Sequence, residues 1–411
     1  MIKIPYGKSN FKEVISGNFF YQDRTNYIKI LEDFDSSYLI YLRPRRFGKS
    51  LMVSALKYYY GLQFKDEFSA LFGNLFIGKN PTPLANQYLV LTFEFSGIDT
   101  TTGKSTIEGF LTNVHYWIND FLVQYDMFFT PEQRDMILSK KQPNTMLKAL
   151  LSCHATNKIP HKIYILVDEY DHFANELISF DFNFFAKSVT ENGFVRKFYE
   201  TIKTATWQGI VERLFITGVS PVTLDSMTSG FNIGTNISLR LAFHAMMGFE
   251  ETEVQGLLRA IGVKKNALSL ILNDVRAFYD GYLFNVNAKT RIYNTDMVLY
   301  FAAYYQVEKK YPDNLLDSNI ASDYSKIRNI FKIQHQEESH LKTLRILTDT
   351  GEIPAQLTTE FSLKKKFNRD DLVSLLFYMG FLTIHYEELG RLLFSFPNYA
   401  IEELYADYLS P

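Results

Sequence analysis

The run Leu42-Arg43-Pro44-Arg45-Arg46-Phe47-Gly48-Lys49-Ser50-Leu51 carries the residue types that a phosphate group needs. Phosphate is held by backbone N–H groups converging from a tight loop, by a lysine that neutralises the β and γ oxygens, and by a hydroxyl that ligates magnesium. Gly48, Lys49 and Ser50 supply these parts, with Arg45, Arg46, Phe47 and Leu51 completing the loop. The usual Walker A pattern places a glycine where this chain has Arg43, so the letters alone leave a solvated basic turn as the competing reading.

A second run, Ile163-Tyr164-Ile165-Leu166-Val167-Asp168-Glu169-Tyr170-Asp171, is an apolar strand pattern that ends in adjacent carboxylates, the form of Walker B. At the carboxyl end of a parallel strand, Asp168 suits the magnesium shell and Glu169 suits the water that attacks a γ-phosphate. Taken alone the pair also fits acids capping a strand at a loop. Joined to the lysine motif, it makes phosphate chemistry the better account. Asp171 reads as a solvated loop acid and His172 as a surface residue. In Arg213-Leu214-Phe215-Ile216-Thr217-Gly218-Val219-Ser220, Thr217 ends another apolar run, where it either senses the γ-phosphate or its water, or simply caps the strand.

These residues need a parallel sheet to bring them together. Short apolar runs over Tyr38–Leu42, Tyr88–Phe95, Ile163–Val167 and Leu214–Thr217 predict buried strands, with His244–Met247 as a weaker fifth. Helical spacing over Lys49–Tyr60, Thr106–Tyr125 and Phe194–Trp207 predicts crossover helices covering that sheet. The expected fold is therefore α/β, a P-loop NTPase with a parallel sheet flanked by helices, over residues 1–248. After Gly248 the pattern turns helical, starting at the acidic Glu250-Glu251-Thr252-Glu253, and residues 249–335 are expected to form a helical lid. Residues 336–411, with a helix over Asp370–Tyr378 and strands over Gly380–Tyr386 and Arg391–Phe396, suggest a winged-helix-like module.

The whole set resembles the AAA-ATPase-like domain family, a P-loop, STAND-related group often fused to a PD-(D/E)XK-type nuclease-like domain. The resemblance rests on Arg43 to Leu51, Val167 to Asp171, Thr217 to Ser220, Tyr279-Asp280-Gly281-Tyr282 and Ile292-Tyr293-Asn294, and it spans nearly the whole chain. It makes Arg43 part of the family's pattern. It also implies that Asp23, Arg24 and Thr25 lie where related ATPases contact adenine, against the alternative of an N-cap and surface charge before a helix over Asn26–Leu31. The chain stops at Pro411, where a nuclease domain would often begin, and no Glu/Asp-x-Lys strand is found at its end, so nuclease activity is not expected of it. It is either a short member or a piece of a longer protein.

Composition narrows the partners. With 43 Lys plus Arg against 45 Asp plus Glu there is no global basic field for nucleic acid or an anionic membrane. No apolar run is long enough to span a bilayer, and the lone Cys153 excludes an intramolecular disulfide framework, which fits a reducing cytoplasm. Zinc would need ligands that one cysteine and dispersed histidines do not supply. The 36 Phe and 27 Tyr are scattered, so they read as core. The expected ligands are ATP or ADP with magnesium. Two functions stand: hydrolysis of ATP, with the arginine finger unassigned among Arg43, Arg45, Arg46, Arg213 and Arg240, or a nucleotide-gated interaction module acting on a protein partner or a nuclease. DNA contact through the acidic C-terminal module is disfavoured against protein docking.

Overall fold

The computed structural model describes residues 2–172, 177, 182–189, 192–222, 232–316, 337–361 and 367–409. Its centre is a parallel sheet in the order β2-β3-β4-β1-β5, formed by Leu89–Glu94 (β2), Ile163–Asp168 (β3), Val211–Gly218 (β4), Tyr38–Leu42 (β1) and Thr235–Asn236 (β5). β4 thus lies between the strand that precedes the glycine-lysine loop and the strand that carries the acids. Every residue of β3 is buried, because neighbours cover both its edges and helices cover both faces of the sheet.

The register assigns those faces. Val90 pairs with Tyr164 and Phe93 with Val167, so Tyr164 and Phe93 point to opposite sides. Tyr164 meets Tyr60 at the end of the helix Lys49–Tyr60. Phe93 and Phe95 meet Phe198, from the helix Phe194–Trp207, and Phe95 also meets Phe110, from the helix Gly103–Gln124. The helix Lys49–Tyr60 stops at Gly61 as its sequence predicts.

The fifth strand differs from the expectation. It is Thr235–Asn236, paired with Leu39 and Ile40, whereas Leu241–Phe243 form a 3₁₀ turn and no strand covers His244–Met247. The Arg43 guanidinium takes the carbonyls of Phe243 and His244, at 3.0 and 3.2 Å, and so removes them from any ladder.

Beyond Gly248 come the helices Glu251–Ala260, Lys265–Tyr279 and Thr295–Glu308. A helix over Arg369–Tyr378 follows, beside an antiparallel sheet ordered β6-β8-β7 from Glu352–Ala355 (β6), Thr383–Glu388 (β7) and Arg391–Ser395 (β8). β7 begins three residues after Gly380 because that glycine, at φ 85°, closes the preceding helix with bonds from its own N–H and that of Phe381. Leu389 and Gly390, both at positive φ, make the tight β7–β8 turn. Among the described residues no helix is long and apolar enough to cross a membrane.

Candidate functional site

Gly48 sits at the N-terminus of the helix Lys49–Tyr60 with φ 95°, a conformation in which a side chain is strained. Arg46 is also left-handed, at φ 68°. Between them these residues curl the loop so that its peptide units leave the sheet direction. The carbonyls of this loop are held from outside. Asn294 Nδ2 donates to the Arg45 carbonyl at 3.2 Å, the Asp296 amide to that of Arg46 at 3.2 Å, and Thr295 Oγ1 to that of Phe47 at 3.0 Å. Fixing three successive carbonyls on the helix Thr295–Glu308 turns the amides that follow them the other way, as an anion cradle requires. Asn294 doubles as the N-cap of that helix.

Lys49 is buried, and its Nζ donates to the carbonyls of Arg43 and Pro44 at 3.0 and 2.9 Å. Burial pulls its pKa down, and Glu169, Asp168 and Asp171 push it back up. Such an ammonium is poised for an anion that brings full charges where the carbonyls bring only dipoles.

Asp168 is also buried, and burial raises its pKa against hydrogen bonds from the hydroxyls of Ser50 and Thr217. The bond from Thr217 Oγ1 is 2.5 Å. Ser50 and Asp168 therefore stand together as hard oxygen donors of the kind that suits a divalent cation. Thr217, expected to sense the γ-phosphate, is fully buried with its hydroxyl directed to Asp168, so it fixes that carboxylate.

Glu169 behaves oppositely to its neighbour. Burial would raise it, but His172, Lys49 and Arg45 outweigh that and hold the carboxyl at about 2. Its Oε2 lies 3.1 Å from His172 Nδ1, and the residue itself is left-handed at φ 52°. His172 is thus part of the site and not a bystander on the surface. Asp171 is likewise corrected: 1% exposed, it accepts from the amides of Val219 and Ser220, at 3.0 and 2.7 Å, and from the Ser220 hydroxyl. It ties the loop after β3 to the end of β4. Gly218 has no side chain because Tyr170 and Asp171 fill that space.

Arg45, Arg46, Gly48, Lys49, Ser50 and Glu169 open on one cleft. Adjoining it at Gly48, Leu51, Thr295 and Leu299 is a small apolar pocket walled by Phe20, Tyr21, Met246 and Phe249. A polar cleft continuous with an apolar pocket matches a phosphate tail joined to a flat ring system.

The segment Asp23-Arg24-Thr25 borders this pocket only through Arg24. Arg24 is an ion-pair partner of Glu253 and donates to the Gly248 carbonyl at 2.8 Å. Asp23 accepts from Thr25 and from the Phe76 amide at 2.7 Å, while Thr25 Oγ1 accepts from the Ile77 amide at 3.1 Å. Of the candidate finger residues, Arg43 is buried between the rings of Tyr41 and Phe284, and Arg213 donates to the Leu31 carbonyl at 3.0 Å. Both serve the core. Sequence reading gave no role to Asn294, although an Asn before an apolar helical run was a readable cap signal.

A family model described as Predicted AAA-ATPase matches residues 5–228, more than half of the chain. A protein of Azotobacter chroococcum mcd 1 described as uncharacterized, in the vnfD 5′ region, is 24% identical over 310 residues, which are 73% of this chain and 52% of that protein. The chain thus spans about half the length of this curated relative. A Walker-type ATPase of Pyrococcus abyssi shares the fold, with a TM-score of 0.53 at 10% identity over 97% of both chains.

Proposed function

Because the chain belongs to the family described as Predicted AAA-ATPase, we propose that it binds Mg·ATP in the polar cleft and hydrolyses it to ADP and phosphate, driving a change in the helices beyond Gly248. The observation that carries this reading is Lys49, a buried ammonium with carbonyl partners from its own loop, which lines a cleft together with Ser50, the hydroxyl bonded to Asp168. The apolar pocket would take the base.

Ser50 and Asp168 would hold magnesium, which when bound neutralises charge on the β and γ oxygens. Lys49 and the amides from Phe47 to Ser50 bind the phosphate tail. Glu169, ionised throughout the neutral range, orients the water for in-line attack on phosphorus. Thr217 keeps Asp168 in place. Arg45 and Arg46 line the cleft and remain the cations suited to developing charge.

In this account residues 1–248 form the ATPase domain, 249–335 a helical lid and 336–411 a winged-helix-like module. The boundary at 335 lies outside the described residues. A cytoplasmic protein with one buried thiol fits the assignment.

A second reading, a nucleotide-gated module with little turnover acting on a protein partner or a nuclease, is favoured by the bonds that join loop carbonyls to the helix Thr295–Glu308. Phosphate release by Glu169→Gln separates the two. Hydrolysis as the function predicts release reduced by about 100-fold or more with Mg·ATP affinity retained, the scale of loss for a group acting only in the transition state. Equal slow release from both proteins would leave gating as the function.

A further inference from the structure

The cations of the phosphate loop do not stand alone around the cleft. Pro5, Gly7, Lys8 and Ser9 form another of its walls, more than thirty positions before the loop, and Pro5 also lines the apolar pocket. This N-terminal segment is anchored to two helices that border the site. The Phe11 amide donates to Ser54 Oγ on the helix Lys49–Tyr60 at 2.9 Å, and Gln306 Nε2, on the helix Thr295–Glu308, donates to the Ile2 carbonyl at 3.0 Å. Within it, Gly7 at φ 72° and a bond from the Lys8 amide to the Pro5 carbonyl, at 3.1 Å, make a turn that brings Lys8 to the cleft.

Lys8 is partly exposed and pairs with the Glu13 carboxylate, with the Phe19 ring 5.0 Å from its Nζ. We infer that Lys8 is a polyphosphate-binding residue that distinguishes a nucleoside triphosphate from a diphosphate, and that Glu13 restrains it until the third phosphate is present. The inference rests on the nucleotide reading of the cleft. Its physical basis is charge: Arg46 already has Asp296 at 3.4 Å, and Lys49 is shared between the β and γ oxygens, so the extra charge of a terminal phosphate gains from a further cation on another wall. A lysine on a flexible stem, held by a partly exposed ion pair of small net worth, exchanges carboxylate for phosphate at little cost.

The test is calorimetric titration of the full chain with Mg·ATP and Mg·ADP, using Lys8→Ala, Glu13→Gln and Lys49→Ala. Lys8→Ala is expected to weaken ATP binding about tenfold and ADP binding less than twofold, while Glu13→Gln tightens ATP binding about threefold. Both substitutions break the same ion pair, so a purely structural role would move ATP affinity in the same direction in each. Unchanged ATP affinity in Lys8→Ala, equal losses for ATP and ADP, or matching losses in Lys8→Ala and Glu13→Gln would each overturn the inference. Failure of the unsubstituted chain to bind ATP would overturn the nucleotide reading and this inference with it, whereas ATP binding lost in Lys49→Ala and unmoved in Lys8→Ala would overturn this inference alone.

Discussion

Two stretches beside the same site, Arg45–Ser50 and Asp23–Thr25, each set charged side chains next to a hydroxyl and end in opposite conditions. In the first, the loop's carbonyls are taken by Asn294, Thr295 and Asp296, which leaves the lysine and the hydroxyl at the cleft. In the second, side chains are absorbed by structure. Asp23 holds the Phe76 amide, Thr25 the Ile77 amide, and Arg24 pairs with Glu253. Residue type tells what a group is able to bond, and only the folded neighbourhood tells what it has already bonded.

Among the side chains absorbed by structure, Asp171 should lose most when replaced, in Asp171→Ala. Removing a buried carboxylate strands the amides of Val219 and Ser220, and a loss of about 3 kcal/mol is expected in urea unfolding. A stable variant with impaired nucleotide binding would make Asp171 a ligand-facing acid after all. Asp23→Ala comes next, with an expected loss of about 2 kcal/mol through the Phe76 amide and the Thr25 contacts. ATP affinity should change less than about threefold. A large affinity loss at unchanged stability would place this segment with the phosphate loop.

The effect that depends on pH concerns Asp280, whose carboxyl burial raises to about 6, with Gly281 and Arg291 opposing. Since its folded value lies above its ordinary 3.8, its contribution to stability is fully present below 3.8 and is lost as pH rises through about 6. Asp280→Asn should therefore melt progressively higher than the parent between pH 4 and 6, with a constant gap above. Melting curves that stay parallel across that range would contradict the assignment.

Much of the fold was legible because its signals are continuous in the chain. β1, the helix Lys49–Tyr60 and the helix Phe194–Trp207 have the bounds their patterns predict, since apolar runs and a stop at Gly61 need no distant partner. His244–Met247 failed as a strand because the carbonyls of Phe243 and His244 go to Arg43, 200 and 201 residues away in sequence. The site divides the same way. The cluster of Gly48, Lys49, Ser50, Asp168 and Glu169 could be read from spacing after strands. The burial of Asp171 and Thr217, the contact of His172 with Glu169, and the clamp of Asn294 on the loop depend on how separate segments meet.

Titration of the full chain with Mg·ATP beside Lys49→Ala decides whether this cleft holds a nucleotide. Saturable binding by the parent is expected, weakened about 100-fold or more in a variant that still unfolds cooperatively, a difference of about 2.7 kcal/mol in binding. Equal binding by both proteins, or none by the parent, would contradict the assignment of this cleft to a nucleotide.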